Sequence, residues 1–123
     1  MSDPLATLSF EVFWDWLLRH PNCILRAGTL DTVLYDDDDL HWHFAVDGAV
    51  YFVQVIRGKR LLGEIAVEVE RVAYTQPQGE DREGEFLFEL VSENETERVA
   101  AYFFVLSHGY DEAESSGPEH AVH

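Results

Sequence analysis

From Cys23 onward, apolar side chains recur at every second position, in short runs that turn residues separate. A period of two is typical of β-strands with one buried face, whereas a helix repeats its apolar residues about every 3.6 positions. The runs are rich in Val, Ile, Phe and Tyr, which strands favour. The short polar breaks between the runs predict consecutive antiparallel strands. We expect strands at 23–27, 31–36, 40–46, 49–57, 60–74, 84–92 and 97–107.

A helix is predicted ahead of these strands, over residues 9–20. Its apolar residues are spaced at i, i+3, i+4, i+7 and i+8, which places them on one face. They are Phe10, Phe13, Trp14, Leu17 and Leu18. Val12 and Trp16 widen this face, so we expect the helix to be buried on more than one side. Ser9 is the expected N-cap, and Pro21 is expected to end the helix. The fold class is therefore α+β, with an N-terminal helix packed on an antiparallel meander of six or seven strands that is flat or curled into a half-barrel.

The length of 123 residues fits a single domain. We place this domain at 1–110 and expect 111–123, which is polar and without periodicity, to be a disordered acidic tail. One cysteine excludes an internal disulfide. The first residues lack the basic flank and long apolar stretch of a signal peptide, and no apolar run approaches the ~18 residues of a membrane span. A cytoplasmic location is the resulting prediction.

The balance of charges is strongly acidic. Twenty-four acidic residues against eight basic ones give a net charge of −16. Such a chain repels nucleic acid and anionic membrane, because phosphate binding requires clustered Lys and Arg. Three interpretations remain open on sequence alone: an adaptation to solubility or high salt, a surface that attracts a basic partner protein, and, as a special case of the latter, a mimic of nucleic acid.

Two tight turns, at Asp47-Gly48 and Gly58-Lys59, are expected to fix which side chains share a face of the sheet. Counting from them places Val50, Phe52, Ile56, Ile65, Val67 and Val69 on one apolar face, which we expect the helix to cover. The opposite face then combines aromatic rings with carboxylates. Its candidate partner-binding residues are Trp42, Phe44, Tyr51, Glu64, Glu68, Tyr102 and Phe104. The main functional hypothesis is a non-enzymatic interaction module that forms a homodimer or binds a basic protein through this face.

A second hypothesis concerns His41 and His43, which lie two apart on one strand and so point the same way. Such a pair can supply two metal ligands, with a third from His108, Cys23 or a carboxylate. The simpler alternative is two histidines at a sheet edge, hydrogen-bonded to Gln54 or to backbone. This hypothesis describes a small-ligand or metal-binding protein, with a pocket between helix and sheet and His41 and His43 at its rim.

The remaining clusters of polar residues indicate no reaction. The four acids at 36–39 lack the ligand spacing of an EF-hand and are interpreted as a solvated turn that discourages edge pairing. Glu64 and Glu68 are spaced i, i+4 on a strand, about 13 Å apart, which is too far for shared acid–base chemistry. Cys23 is interpreted as a small buried hydrophobe. We therefore predict no catalytic residue and no cofactor, and we favour a protein that is not an enzyme.

Overall fold

The computed structural model describes residues 6–110, which form one short helix and eight strands. The helix α1 spans Phe10–Leu17, and short 3-10 turns lie at Pro21–Cys23 and Val69–Arg71. The strands are β1 (Ile24–Thr29), β2 (Val33–Tyr35), β3 (His41–Asp47), β4 (Val50–Arg57), β5 (Arg60–Glu68), β6 (Tyr74–Arg82), β7 (Glu85–Glu93) and β8 (Arg98–Leu106). The predicted tail at 111–123 lies outside the described residues.

The strands form two antiparallel sheets. A five-stranded sheet has the order β2-β1-β8-β7-β6, and a three-stranded sheet has the order β3-β4-β5. The α+β class and the antiparallel pairing are confirmed, but the single meander sheet is wrong. Strand pairing is interrupted between β2 and β3 and between β5 and β6, while the first and last strands pair with each other. The described residues therefore form two separate sheets.

The helix lies between the two sheets and joins them into one core. On one side the Trp14 ring meets Phe44 of the three-stranded sheet, with centroids 5.4 Å apart. On the other side the Phe13 ring lies 5.3 Å from Phe88 and 5.4 Å from Phe104 of the five-stranded sheet. The fully buried side chains Trp16 and Leu17 complete the contact. The helix is therefore buried on more than one side, as its broad apolar face predicts.

The helix begins where expected and ends earlier. The Ser9 hydroxyl accepts a hydrogen bond from the Val12 amide at 3.2 Å, which caps the first turn. The last helical residue is Leu17, and the amide of His20 donates to the Leu17 carbonyl at 2.9 Å. Pro21 then opens a 3-10 turn rather than ending the helix itself. No helix within the described residues is both long and apolar enough to cross a lipid bilayer.

Two strand predictions are corrected. The long strand expected at 60–74 ends at Glu68, and a 3-10 turn at Val69–Arg71 separates it from β6. The residues between the strands expected at 60–74 and 84–92 are not a loop, because Tyr74–Arg82 form the strand β6, which pairs with β7. Because β6 is at the edge of its sheet, Pro77 can sit there without removing a hydrogen bond from a central ladder.

Register shifts decide which side chains face the core. The turn Gly58-Lys59 is as predicted, with Arg57 opposite Arg60, but Leu62 is an extra residue that leaves Val55 opposite Gly63. From that bulge onward β5 is shifted by one residue relative to the register counted from the turn. A second bulge, at Ala101, shifts β8 against β7 in the same way. A shift of one residue exchanges the two faces of a strand, because successive side chains point to opposite sides.

Candidate interaction surface

The structure does not bring the seven predicted partner-binding residues onto one surface. Five of them face the core or pack against it: Trp42, Phe44, Tyr51, Tyr102 and Phe104. Phe104 is only 1% exposed, and the rings of Tyr51 and Trp14 lie 5.0 Å apart in the interior. Glu64 and Glu68 lie on the outward side of β5 and are exposed. The face predicted to combine these aromatics with these carboxylates is therefore wrong as a structural unit, while a role in binding a partner stays a prediction.

The core-facing side of the three-stranded sheet is the opposite of the one expected. Val53 is fully buried and Val55 is 4% exposed on β4, and both share their face with Tyr51. The face with Phe52, which was expected to lie under the helix, is turned outward. Ile65 and Val67 are nevertheless buried, as predicted. The bulge at Leu62 shifts β5 by one residue, and this shift places both side chains on the same face as Val53.

We call the outward side of the three-stranded sheet the open face. Pairing across the three strands defines its members. They are His41, His43, Ala45 and Asp47 of β3, Val50, Phe52, Gln54 and Ile56 of β4, and Leu61, Glu64, Ala66 and Glu68 of β5. Phe52, Val50 and Ile56 are the residues that sequence reasoning placed in the core. The sequence did indicate that both faces of β4 are apolar, and a strand of this kind needs cover on both sides.

The centre of the open face is an apolar strip along β4. Phe52 lies directly between Ala45 on β3 and Ala66 on β5. Because both neighbours are small, the ring stands above them and is only partly buried. Leu61, opposite Ile56, extends the strip and is 51% exposed. A partly exposed ring flanked by small side chains offers a partner both contact area and room for its own side chains.

A chain of hydrogen-bonded side chains crosses the three strands on the open face. The amide nitrogen of Gln54 donates to Glu64 Oε1 at 2.7 Å, and Gln54 Oε1 lies 2.8 Å from His43 Nδ1. Since the amide oxygen only accepts, His43 carries its proton on Nδ1 in this arrangement. The alternative interpretation of His43 as an edge histidine bonded to Gln54 is confirmed. Within residues 6–110, no third ligand completes a metal-binding group with His41 and His43.

The formal charges of the open face are all negative. They belong to Asp47, Glu64 and Glu68, and no Lys or Arg belongs to this side of the three strands. The basic hairpin residues Arg57 and Arg60 oppose each other at the sheet's end, and the alternation of side chains along β4 turns Arg57 away from the open face. Arg71, which follows β5, lies 3.5 Å from Glu68 but is itself 73% exposed.

Side chains of the five-stranded sheet itself cover part of its outward face. Arg26 on β1 and Glu85 on β7 are joined at 2.7 Å across β8. Between them lies Val105, which pairs with Arg26 and is 4% exposed. The hydrogen bond from Arg26 lowers the pKa of Glu85, against a smaller opposing effect of desolvation. The same hydrogen bond raises the pKa of Arg26.

An apolar cavity of about 430 Å³ lies away from the open face. Its lining comes from the segment before α1, from β6 and β7, and from the residues after β8: Ala6, Leu8, Pro77, Gly79, Phe86, Phe88, Gly109 and Tyr110. His41, His43 and Gln54 do not line this cavity, so it is not the pocket that the small-ligand hypothesis describes. Among the described residues that line it, the only titratable group is the Tyr110 phenol.

Comparison with known proteins found no matching family model, and no significant match among curated proteins or solved structures.

Proposed function

We propose that this protein is a non-enzymatic interaction module that binds a basic partner protein through the open face. The observation that carries the proposal is the apolar strip of β4, Val50, Phe52 and Ile56, whose side chains stay partly exposed on the outward side of the sheet. Apolar side chains on the outward face of a central strand are typical of a surface that another molecule buries.

The charges around the strip favour a basic partner. Asp47, Glu64 and Glu68 surround an apolar centre, which is the arrangement of a desolvated contact with a polar rim. Rim charges guide the approach of an oppositely charged partner and reject partners of the same sign. The net charge of −16 extends this attraction over the whole molecule.

The same charges argue against a second copy as the occupant of the open face. Two copies docked face to face would oppose the carboxylates of one to the carboxylates of the other, and like charges across an interface are costly. The basic residues Arg57 and Arg60 cannot compensate within the strip, because they lie at its end and not on its face. A basic protein therefore fits this surface better than a homodimer.

The proposal is tested by selecting a displayed library of random peptides on the purified protein. The selected peptides are expected to combine Lys or Arg with aliphatic or aromatic residues, and their affinity should fall as salt is raised. Phe52→Asp is expected to weaken binding by about 30-fold or more, the effect of losing a central contact residue worth about 2 kcal/mol. The double variant Glu64→Gln, Glu68→Gln should reduce the association rate and the salt dependence.

The matched control is Tyr35→Asp, which exchanges a 62% exposed aromatic residue on the five-stranded sheet. Circular dichroism verifies that both variants are folded, and Tyr35→Asp should bind as the wild type does. Equal binding by wild type and Phe52→Asp would refute the proposal, as would selected peptides without basic residues. A dimer in sedimentation that Phe52→Asp dissociates would assign the face to a second copy instead.

A further inference from the structure

Three side chains that commonly ligate metals meet beyond the C-terminal end of α1. His20 follows the helix, Cys23 closes the 3-10 turn, and His108 follows β8. Their ligand atoms all lie within 4.8 Å of one another, and each side chain is half-buried. Within residues 6–110, no other group of three or more His, Cys, Asp or Glu side chains is this close. We propose that His20, Cys23 and His108 bind one Zn²⁺ ion.

Local backbone structure brings these ligands together. In a 3-10 turn, side chains three residues apart lie on the same side, which aligns His20 with Cys23. Pro21 presets the backbone of this turn, and the Cys23 amide donates to the His20 carbonyl at 3.0 Å. The Ser107 amide donates to the Cys23 carbonyl at 2.9 Å, which fixes the segment of His108 against the turn. Backbone hydrogen bonds therefore hold the segments that carry the three ligands together without a metal ion.

The hydrogen bond of His108 leaves the correct nitrogen for a metal. Its Nδ1 lies 3.0 Å from the carbonyl oxygen of Gly109. A carbonyl oxygen can only accept, so Nδ1 carries the proton and the Nε2 lone pair of the neutral ring is available. Histidines that bind metals in proteins commonly donate their other N–H to a carbonyl or carboxylate in this way.

Aromatic rings form one wall of the cluster. Trp16 is fully buried, and its ring centroid lies 5.0 Å from that of His20 and 5.5 Å from that of His108. The two imidazole rings are themselves 4.8 Å apart. Two imidazolium ions at this distance would repel each other, whereas two neutral imidazoles can both bind the same metal cation. An apolar wall of this kind limits the access of solvent to one side of the site and lowers the local dielectric.

Two imidazole nitrogens and one thiolate are a donor set that suits zinc. Zn–N bonds of about 2.0 Å and a Zn–S bond of about 2.3 Å place the three tetrahedral donors roughly 3.3–3.5 Å apart. Because the ligand atoms already lie within 4.8 Å of one another, rotation of the rings and the thiol needs to bring them closer by no more than about 1.5 Å. The Cys23 thiol releases its proton to solvent as the Zn–S bond forms. Three protein ligands leave the fourth position of a tetrahedral ion to water or another small ligand.

As metal ligands, Cys23 and His108 were expected only in the role of a third ligand for His41 and His43. The local signal for the actual cluster was the His-x-x-Cys spacing of His20 and Cys23 around Pro21. This spacing predicts proximity only if the residues after the helix form a 3-10 turn. The contribution of His108 could not be foreseen, because it depends on the pairing of the first and last strands.

The test adds Co²⁺, a spectroscopic substitute for Zn²⁺, to the reduced full-length protein. A thiolate-to-cobalt charge-transfer band should appear and saturate at one equivalent, and Zn²⁺ should displace it. Cys23 is the only cysteine of the chain, so this band reports on the proposed site even if other histidines bind cobalt. Added Zn²⁺ should also raise the thermal unfolding midpoint, since an ion that binds only the folded state stabilises it.

Cys23→Ser should lose the band, and His108→Gln should lose it or require far more cobalt, with circular dichroism confirming that both are folded. The double variant His41→Ala, His43→Ala is the matched control and should bind cobalt as the wild type does. Absence of the band in wild-type protein would overturn the proposal. A full-strength band in His108→Gln, or loss of the band in the control variant, would overturn it equally.

Discussion

At the scale of residues, the ion pair of Arg26 and Glu85 links charge to stability. The side chains of both residues are 26% exposed, and Arg26 pairs with Val105 of the strand between them. Because the pKa of Glu85 is lowered in the folded state, the folded protein holds this carboxylate ionised more strongly than the unfolded chain does. The resulting stabilisation is present above the pKa of an unfolded Glu, about 4.3, and is lost as the pH falls through the lower pKa of the folded state.

We therefore expect Glu85→Gln to be less stable than the wild type at neutral pH, with a difference that shrinks as the pH falls below about 4. Urea unfolding at a series of pH values measures this difference. Glu83→Gln, at an exposed position in the same hairpin, controls for the removal of a charge. A difference for Glu85→Gln that is constant across the acid range would contradict the role of the ion pair.

Two adjacent leucines at the end of α1 test where the helix is buried. Leu17 is fully buried between the sheets, whereas Leu18 is 42% exposed. Leu17→Ala is expected to lower the free energy of unfolding by about 2–5 kcal/mol, because it leaves a cavity in the core. Leu18→Ala should change it by no more than about 0.5 kcal/mol. Urea unfolding of the pair measures both, and similar losses in the two variants would mean that the helix is rotated from the position described.

At the scale of elements, the sequence predicted most of the local structure. The helix and its N-cap, the hairpin turn at Gly58-Lys59 and the existence of most strands follow from short-range patterns. In the first hairpin the turn residues are Gly48-Ala49, one position later than expected, with Asp47 opposite Val50. The residue opposite each β3 residue is therefore two positions further along β4 than predicted. Because a displacement of two leaves a side chain on the same face, the residues of β3 and β4 share faces as predicted.

The bulges are what sequence patterns could not predict. Leu62 and Ala101 are ordinary strand residues, and nothing in their type indicates that they lack a partner. Each lies a few residues beyond a hairpin turn, so a register counted from the turn is correct only up to the bulge. This one-residue difference turned Phe52 from an expected core residue into the centre of the open face.

The bulge at Leu62 can be tested by deletion. Removing Leu62 should leave a regular hairpin with the same later pairs, such as Val53 with Ile65, and the fold should survive. Removing Ala66 instead should move Val67 to the outward side and place Glu68 on the inward side, which is incompatible with a folded core. Circular dichroism and thermal unfolding of the two deletion variants measure the outcome. If deletion of Leu62 abolished the fold and deletion of Ala66 did not, β4 and β5 would have to pair in a register other than the one described.

At the scale of the whole molecule, the two-sheet arrangement explains why some functional predictions failed. Which face of a sheet is covered depends on where the helix lies, and the sequence does not state that α1 is inserted between two sheets. It did indicate that β4 and β8 are apolar on both faces. On β8 the Arg26–Glu85 pair closes the second face in part, while on β4 the second face remains open. The acidic character of that face agrees with the charge of the whole chain.

The most direct measurement of the central claim is the reactivity of single cysteines introduced into a Cys23→Ser protein. Ala66→Cys lies beside Phe52 on the open face, and Ala73→Cys is an exposed position outside it. Both should react rapidly with a thiol reagent in the free protein. A bound basic peptide from the selection should slow the labelling of Ala66→Cys by about tenfold or more, as expected at saturating occupancy of a site with submicromolar affinity, and leave Ala73→Cys unchanged. Equal labelling of Ala66→Cys with and without peptide, or protection of Ala73→Cys instead, would contradict docking on the open face.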